Sequence, residues 1–230
     1  TPLFAGVYWE IQDMVLEDID RIEVIRGPGA TLWGANAVNG VINIVTKSSR
    51  ETIGGHLKLG ASEIEQPYSE LRWGDQLGDD LFYRLSAKHT NRREYDYSDG
   101  GDGDDDWDSI QFNLRTDWFV TPKDTITTIT NVQEFNLGGF GTPLVYSRTS
   151  DPFPGVVPPL DLYFPVPGAN ETNWRNQNFQ VEWNRALSPS DGFTLKAYYD
   201  MTHSKSNTLE EERDTFDVDF RHWFAINDSN

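Results

Sequence analysis

From residue 51 to residue 224 the chain alternates apolar and polar residues with a period of two, the pattern of strands with two different faces. In 107–119, Ile110, Phe112, Leu114 and Trp118 fall on one face, and Gln111, Asn113, Arg115 and Asp117 on the other. Residues 81–89 set Leu81, Tyr83, Leu85 and Ala87 against Arg84, Ser86 and Lys88. The same alternation runs through 179–185, 193–201 and 214–224, and more weakly through 53–61, 68–74 and 125–135. Eight antiparallel strands are predicted. Gln76–Asp80, Thr121–Asp124 and Ser188–Gly192 read as tight turns. Between them come the longer connections 91–106, 136–174 and about 203–212. Several of the strands are longer than the usual soluble strand of about 5–6 residues. Long strands joined alternately by short and long connections are what a membrane-spanning β-barrel requires. The competing arrangement is a soluble β-sandwich, which also alternates.

Residues 1–50 have a different texture. Asp18–Arg26 alternates into a short strand that Gly27-Pro28-Gly29 stops. Ala30–Trp33 suits one helical turn capped by Gly34, Asn39-Gly40 is a turn dipeptide, and Val41–Thr46 is a second strand. This small α+β unit is too short for a core of its own and must pack on something larger. Its glycines lack the Gly-Lys-Ser/Thr ending of a phosphate loop, so nucleotide binding is not expected.

Composition narrows the class. The 230 residues carry 19 basic and 37 acidic side chains, a net charge of −18, with 37% hydrophobic and 13% aromatic residues and no cysteine. No apolar run approaches the roughly 18 residues of a membrane helix. Without cysteine there is neither a disulfide framework nor a thiolate metal site. The acidity opposes nucleic-acid binding. Low hydrophobicity with many aromatics fits a barrel whose strands offer lipid only alternate residues. The opening Thr1-Pro2 and the polar end at Asn230 read as ends of a piece, not natural termini.

Glu17-Asp18-Ile19-Asp20-Arg21-Ile22-Glu23-Val24-Ile25-Arg26-Gly27-Pro28, followed by Leu32-Trp33-Gly34 and Asn39-Gly40-Val41-Ile42-Asn43-Ile44, resembles the second half of the plug domain of TonB-dependent outer-membrane receptors. The resemblance implies a mainly β chain: residues 1–50 as the C-terminal half of a plug, and 51–230 as about eight of 22 strands of a transmembrane barrel. It implies the outer membrane of a Gram-negative bacterium and energy-coupled uptake of a scarce nutrient, most often a ferric siderophore. Cobalamin or an oligosaccharide is the alternative cargo, and a passive small barrel or adhesin the alternative class. It implies as partners a TonB-type coupling protein, whose binding box lies outside this chain, the nutrient, and outer-membrane lipid and lipopolysaccharide. No enzyme activity and no cofactor are implied.

Candidate sites follow. Phe4, Tyr8 and Trp9 map by resemblance onto a plug loop that touches substrate. Phe140, Tyr146, Phe153, Tyr163 and Phe164 lie in a proline-rich loop suited to stacking on a planar ligand. Arg21, Glu23 and Arg26 are expected at the contact between plug and barrel, where enclosed charges need partners. Residues 92–108 hold eight acids against Arg92 and Arg93 and read as a solvated loop, with calcium binding as the alternative. His56, His89, His203 and His222 are scattered, and no metal site is expected from their spacing.

Overall fold

The computed structural model describes residues 13–29, 39–63, 65–96, 103, 105–138, 145–146, 163–164, 172–206 and 210–225. Among these there is no α-helix. Strands β1 (Ile19–Arg26) and β2 (Gly40–Thr46) form an antiparallel ribbon. A meander of eight strands follows: β3 (Gly54–Gly60), β4 (Glu65–Leu77), β5 (Leu81–Arg92), β6 (Trp107–Thr121), β7 (Asp124–Leu137), β10 (Thr172–Ser188), β11 (Asp191–Lys205) and β12 (Glu210–Phe224). Each pairs with its neighbour in order, so β3 and β12 are the edges of an open sheet. Between β7 and β10, the two-residue strands β8 (Val145–Tyr146) and β9 (Tyr163–Phe164) pair with each other. The helical turn expected at 30–33 lies outside the described residues.

The eight expected strands are all present, and most are longer than the alternation suggested. The extension has a physical cause. Across the sheet, Trp73, Leu85, Leu114, Thr130, Phe179, Tyr199 and Phe216 fall in one register row on the outward face. A second row nearer the tight turns holds Leu77, Leu81, Trp118, Ile126, Trp183, Leu195 and Phe220. Toward the long connections the outward residues turn polar, and Glu134 and Arg175 face each other there at 3.5 Å. Backbone pairing continues past the apolar band, where hydropathy no longer marks it.

The inner face is the reverse. Arg72, Ser86, Asn113, Asn131, Asn178, Asp200 and Thr215 share one register row, adjacent to the Trp73–Phe216 row but on the opposite side of the sheet. Among the described residues only Val15, Phe82, Phe135 and Leu137 are buried apolar residues, against fifteen buried polar or charged ones. Phe216 is 72% exposed and Leu57 65%. No second sheet covers the apolar face among the described residues. A soluble sandwich buries its apolar face and wets its polar one. This sheet does the opposite, which is stable only with hydrocarbon outside. One inner apolar cluster joins Phe135 and Leu137 with Trp107 and Trp174, away from the tight turns, and in it the Trp107 and Phe135 rings stack at 5.2 Å.

In the membrane-embedded protein, Leu85→Arg should cost about 2–4 kcal/mol, the cost of a cation facing the middle of the lipid. Arg175→Ala, on the same face beyond the apolar band, should change stability by less than about 0.5 kcal/mol. Denaturant titration in lipid vesicles measures both.

Candidate functional site

The functional geometry lies where the N-terminal segment meets the inner face of β4–β7. A 3-10 turn, Leu16–Asp18, opens the ribbon and is closed by the Asp18 N–H donating to the Val15 carbonyl at 3.0 Å. Lys47, just after β2, donates its N–H to the Asp18 carbonyl and its Nζ to the Glu17 carbonyl, both at 2.9 Å. The start and end of the ribbon are thereby one block. A second 3-10 turn, Ser49–Thr52, carries the chain to β3. It begins with a capping box in which the Ser48 N–H donates to the Glu51 carboxylate at 2.8 Å, and the turn is closed by the Glu51 N–H donating to the Ser48 carbonyl at 3.1 Å.

This block offers acids to a basic patch on the wall. The Asp18 carboxylate is nearly enclosed and divides its oxygens between Arg72 Nη1, at 3.1 Å, and Arg84 Nε, at 3.2 Å. Arg84 also donates to the Lys47 carbonyl at 2.9 Å. Lys88 meets Asp13 at 2.6 Å and Glu70 at 3.5 Å. Lys58 meets Glu17 at 3.5 Å. Nearer the tight turns, Arg115 holds Asp117 with two bonds of 2.9 Å. Asp117 also accepts from the buried Ser49 N–H at 2.6 Å and from the Thr127 hydroxyl at 2.9 Å. Arg115 reaches the Thr46 hydroxyl at 3.0 Å, and the Arg50 guanidinium lies 5.5 Å from the centre of the Phe82 ring. Gly74 completes the fit, because a Cβ there would run into the Thr52 carbonyl.

Such a joint is strong but reversible. Each of these charged groups has an ion-pair partner of opposite sign. Separating the surfaces returns the groups to water instead of exposing an oily core. A polar joint is what an internal domain needs if it is to move.

The three charges expected at this joint, Arg21, Glu23 and Arg26, stand on β1. Arg21 pairs with Asp20 at 2.7 Å and with Glu23 at 2.6 Å, and Glu23 accepts from Asn43 at 2.8 Å, all within the ribbon. Arg26 is an exposed end residue of β1. The described ion pairs to the wall come from Asp13, Glu17 and Asp18 instead. Their signal was present in the sequence: Arg72, Arg84, Lys88 and Arg115 are charges on strand faces meant to be enclosed. Phe4, Tyr8, Trp9, Phe140 and Phe153 lie outside the described residues. For Tyr146, Tyr163 and Phe164 the backbone ladder brings 145–146 beside 163–164. In the acidic tract, Asp105 accepts from the Tyr95 N–H at 2.7 Å and Asp108 from the Asn136 amide at 3.1 Å. Asp99, Asp102 and Asp104 lie outside the described residues.

The family model for the TonB-dependent receptor plug domain matches residues 6–41, the stretch that supplies Asp13, Glu17 and Asp18. Over that stretch the chain is similar to the plug of TonB-dependent receptors. Proteins of that family are transporters and receptors, and the relatives matched here are outer-membrane proteins of Gram-negative bacteria. The iron-regulated outer membrane virulence protein of Vibrio cholerae serotype O1 is 37% identical over 107 residues, covering 44% of this chain and 16% of the relative. The vitamin B12 transporter BtuB of Vibrio vulnificus is 48% identical over 48 residues, covering 21% and 8%. The siderophore receptor PiuA from Acinetobacter baumannii shares the fold, with a TM-score of 0.61 at 12% identity over 83% of this chain and 27% of its own. The chain thus spans a sixth or less of these curated relatives.

Two predictions follow for the plug. Asp18→Ala leaves Arg72 and Arg84 facing each other in a buried site and should weaken plug attachment by about 3 kcal/mol or more. Hydrogen exchange of the β2 amides reads the loss. Glu17 and Glu51 are both held below the usual carboxylate range. The first cause is a backbone hydrogen bond in each case, from the Glu17 N–H and the Ser48 N–H respectively. Carboxyls depressed by folding stabilise the closed state above their unfolded pKa, about 4.5, and lose that contribution as pH falls through the folded value. Protection of amides 47–52 should therefore be flat at neutral pH and decline only below about pH 4.5.

Proposed function

We propose that this chain is the part of an active-uptake receptor in which the second half of the plug, residues 1–50, is held against the first wall strands, 51–230. The cargo is a scarce nutrient, first a ferric siderophore, and a TonB-type protein supplies the energy from outside this chain. The observation that carries the reading is the Asp18–Arg72–Arg84 joint, a buried and fully polar attachment between a small internal unit and the inner face of a lipid-facing sheet. The iron-regulated relative and the siderophore-receptor fold support iron as the cargo. Cobalamin is the second reading, favoured by the higher local identity to the vitamin B12 transporter. Lipid and lipopolysaccharide surround the wall. The cargo is held at the outer mouth by Phe4, Tyr8 and Trp9 on the plug side and by Phe140, Tyr146, Phe153, Tyr163 and Phe164 on the loop side.

Ligand titration of the complete receptor with a panel of ferric siderophores and cobalamin separates the cargoes. One siderophore should bind, and the double change Tyr8→Ala with Trp9→Ala should weaken it about tenfold or more, as loss of two stacking rings implies. Binding of cobalamin alone selects the second reading. Unchanged affinity in the double variant removes the plug rings from the site.

A further inference from the structure

Beside the Asp18 joint, three side chains from three different elements bring atoms that lack hydrogen bonds to one place. Glu17 comes from the first 3-10 turn, His56 from β3 and Glu70 from β4. One ligand atom from each lies within 4.8 Å of the other two. Glu17 Oε2, His56 Nε2 and Glu70 Oε2 are all buried without a hydrogen-bond partner, and His56 Nε2 has only the longer 4.0 Å contact with Glu17 Oε1. The other carboxylate oxygens are accounted for: Glu17 Oε1 faces Lys58 and Glu70 Oε1 faces Lys88, each at 3.5 Å. The Glu70 side chain is only 3% exposed. Buried polar atoms are nearly always satisfied in folded proteins. Three orphans converging from both sides of the plug–wall joint call for a shared partner.

We propose that Glu17, His56 and Glu70 bind a divalent transition metal of the Zn²⁺ class, which clasps the plug to β3 and β4. The donor set is one imidazole and two carboxylates. Imidazole selects zinc-like ions over calcium and magnesium, which prefer all-oxygen cages. Three protein ligands leave a fourth tetrahedral position for water. Bonds of about 2.0–2.1 Å place tetrahedral ligand atoms roughly 3.4 Å apart. The three atoms, within 4.8 Å of one another, draw in by at most about 1.4 Å to reach it. Lys58, with its side chain 39% exposed, can swing into solvent as the cation takes over the Glu17 carboxylate. Because Glu17 belongs to the plug and the other two ligands to the wall, occupancy ties the parts together independently of which nutrient is carried.

The test is calorimetric titration of the complete, chelator-stripped receptor with ZnCl₂, and with MgCl₂ as control. One saturable zinc site is expected, with magnesium inert. His56→Gln and Glu70→Gln should each weaken zinc about tenfold or more, while heat-modified gel mobility reports that the barrel still forms. Zinc-edge absorption spectroscopy on the unmodified receptor should show imidazole scattering, which keeps the test decisive if a variant fails to fold. Absence of a one-to-one site, zinc affinity unchanged in both variants, or a bound zinc with no imidazole overturns the proposal. Nutrient titration is a separate readout, so failure of the metal site and failure of the uptake reading are distinguishable.

Discussion

Everything in this fold depends on having hydrocarbon against one face of the sheet and polar contents against the other. Lipid offers no hydrogen bonds, so each spanning strand must pair its backbone within the sheet. It also rewards Leu85, Phe112, Phe179 and Phe216 for remaining outside. The inner face is then free to carry Ser, Asn, Gln, Arg and Asp side chains, provided that something polar meets them. In the described residues that partner is the N-terminal block, whose acids and carbonyls meet Arg72, Arg84, Lys88 and Arg115.

The same constraint explains why the ribbon can be so small. Ile22 and Val24 pair across to Ile44 and Ile42 and remain well exposed, so β1 and β2 have no apolar core of their own. The ribbon is held in place by charges and by the two 3-10 turns that brace its ends. An attachment of this kind combines high specificity with ready release. Asp18 must find two guanidinium groups at once, yet the separated groups are well solvated. The His56 cluster belongs to the same surface and would set how firmly the two parts are held.

The wall was legible in the sequence because alternation is strongest where lipid is the solvent. Ile110 through Trp118 declared their faces plainly. The outer part of β10 did not: Asn173, Arg175 and Gln177 show no apolar stripe, since that stretch approaches the water-facing end of the strand. The plug was legible as a motif, and its strands stand at Ile19–Arg26 and Gly40–Thr46, close to where the alternation put them. The joint was harder to read. Arg21 and Glu23 drew attention as charges on a short strand, but i to i+2 neighbours on one face of a strand satisfy each other. The pairing of Asp18 with Arg72 and Arg84 joins residues 54 and 66 positions apart, and no local pattern reveals it. His56 and Glu70 read as isolated residues for the same reason.

The central claim is that the sheet is inside-out. Spin labels placed singly at positions 109–118 of the complete receptor in lipid vesicles test it most directly. Oxygen, which concentrates in hydrocarbon, should reach 110, 112, 114 and 118 far more readily than 109, 111, 113 and 115. Accessibility to a water-soluble nickel chelate should stay low on the lipid-facing set. High chelate contact at Ile110, Phe112 and Leu114, or no alternation at all, would contradict the account.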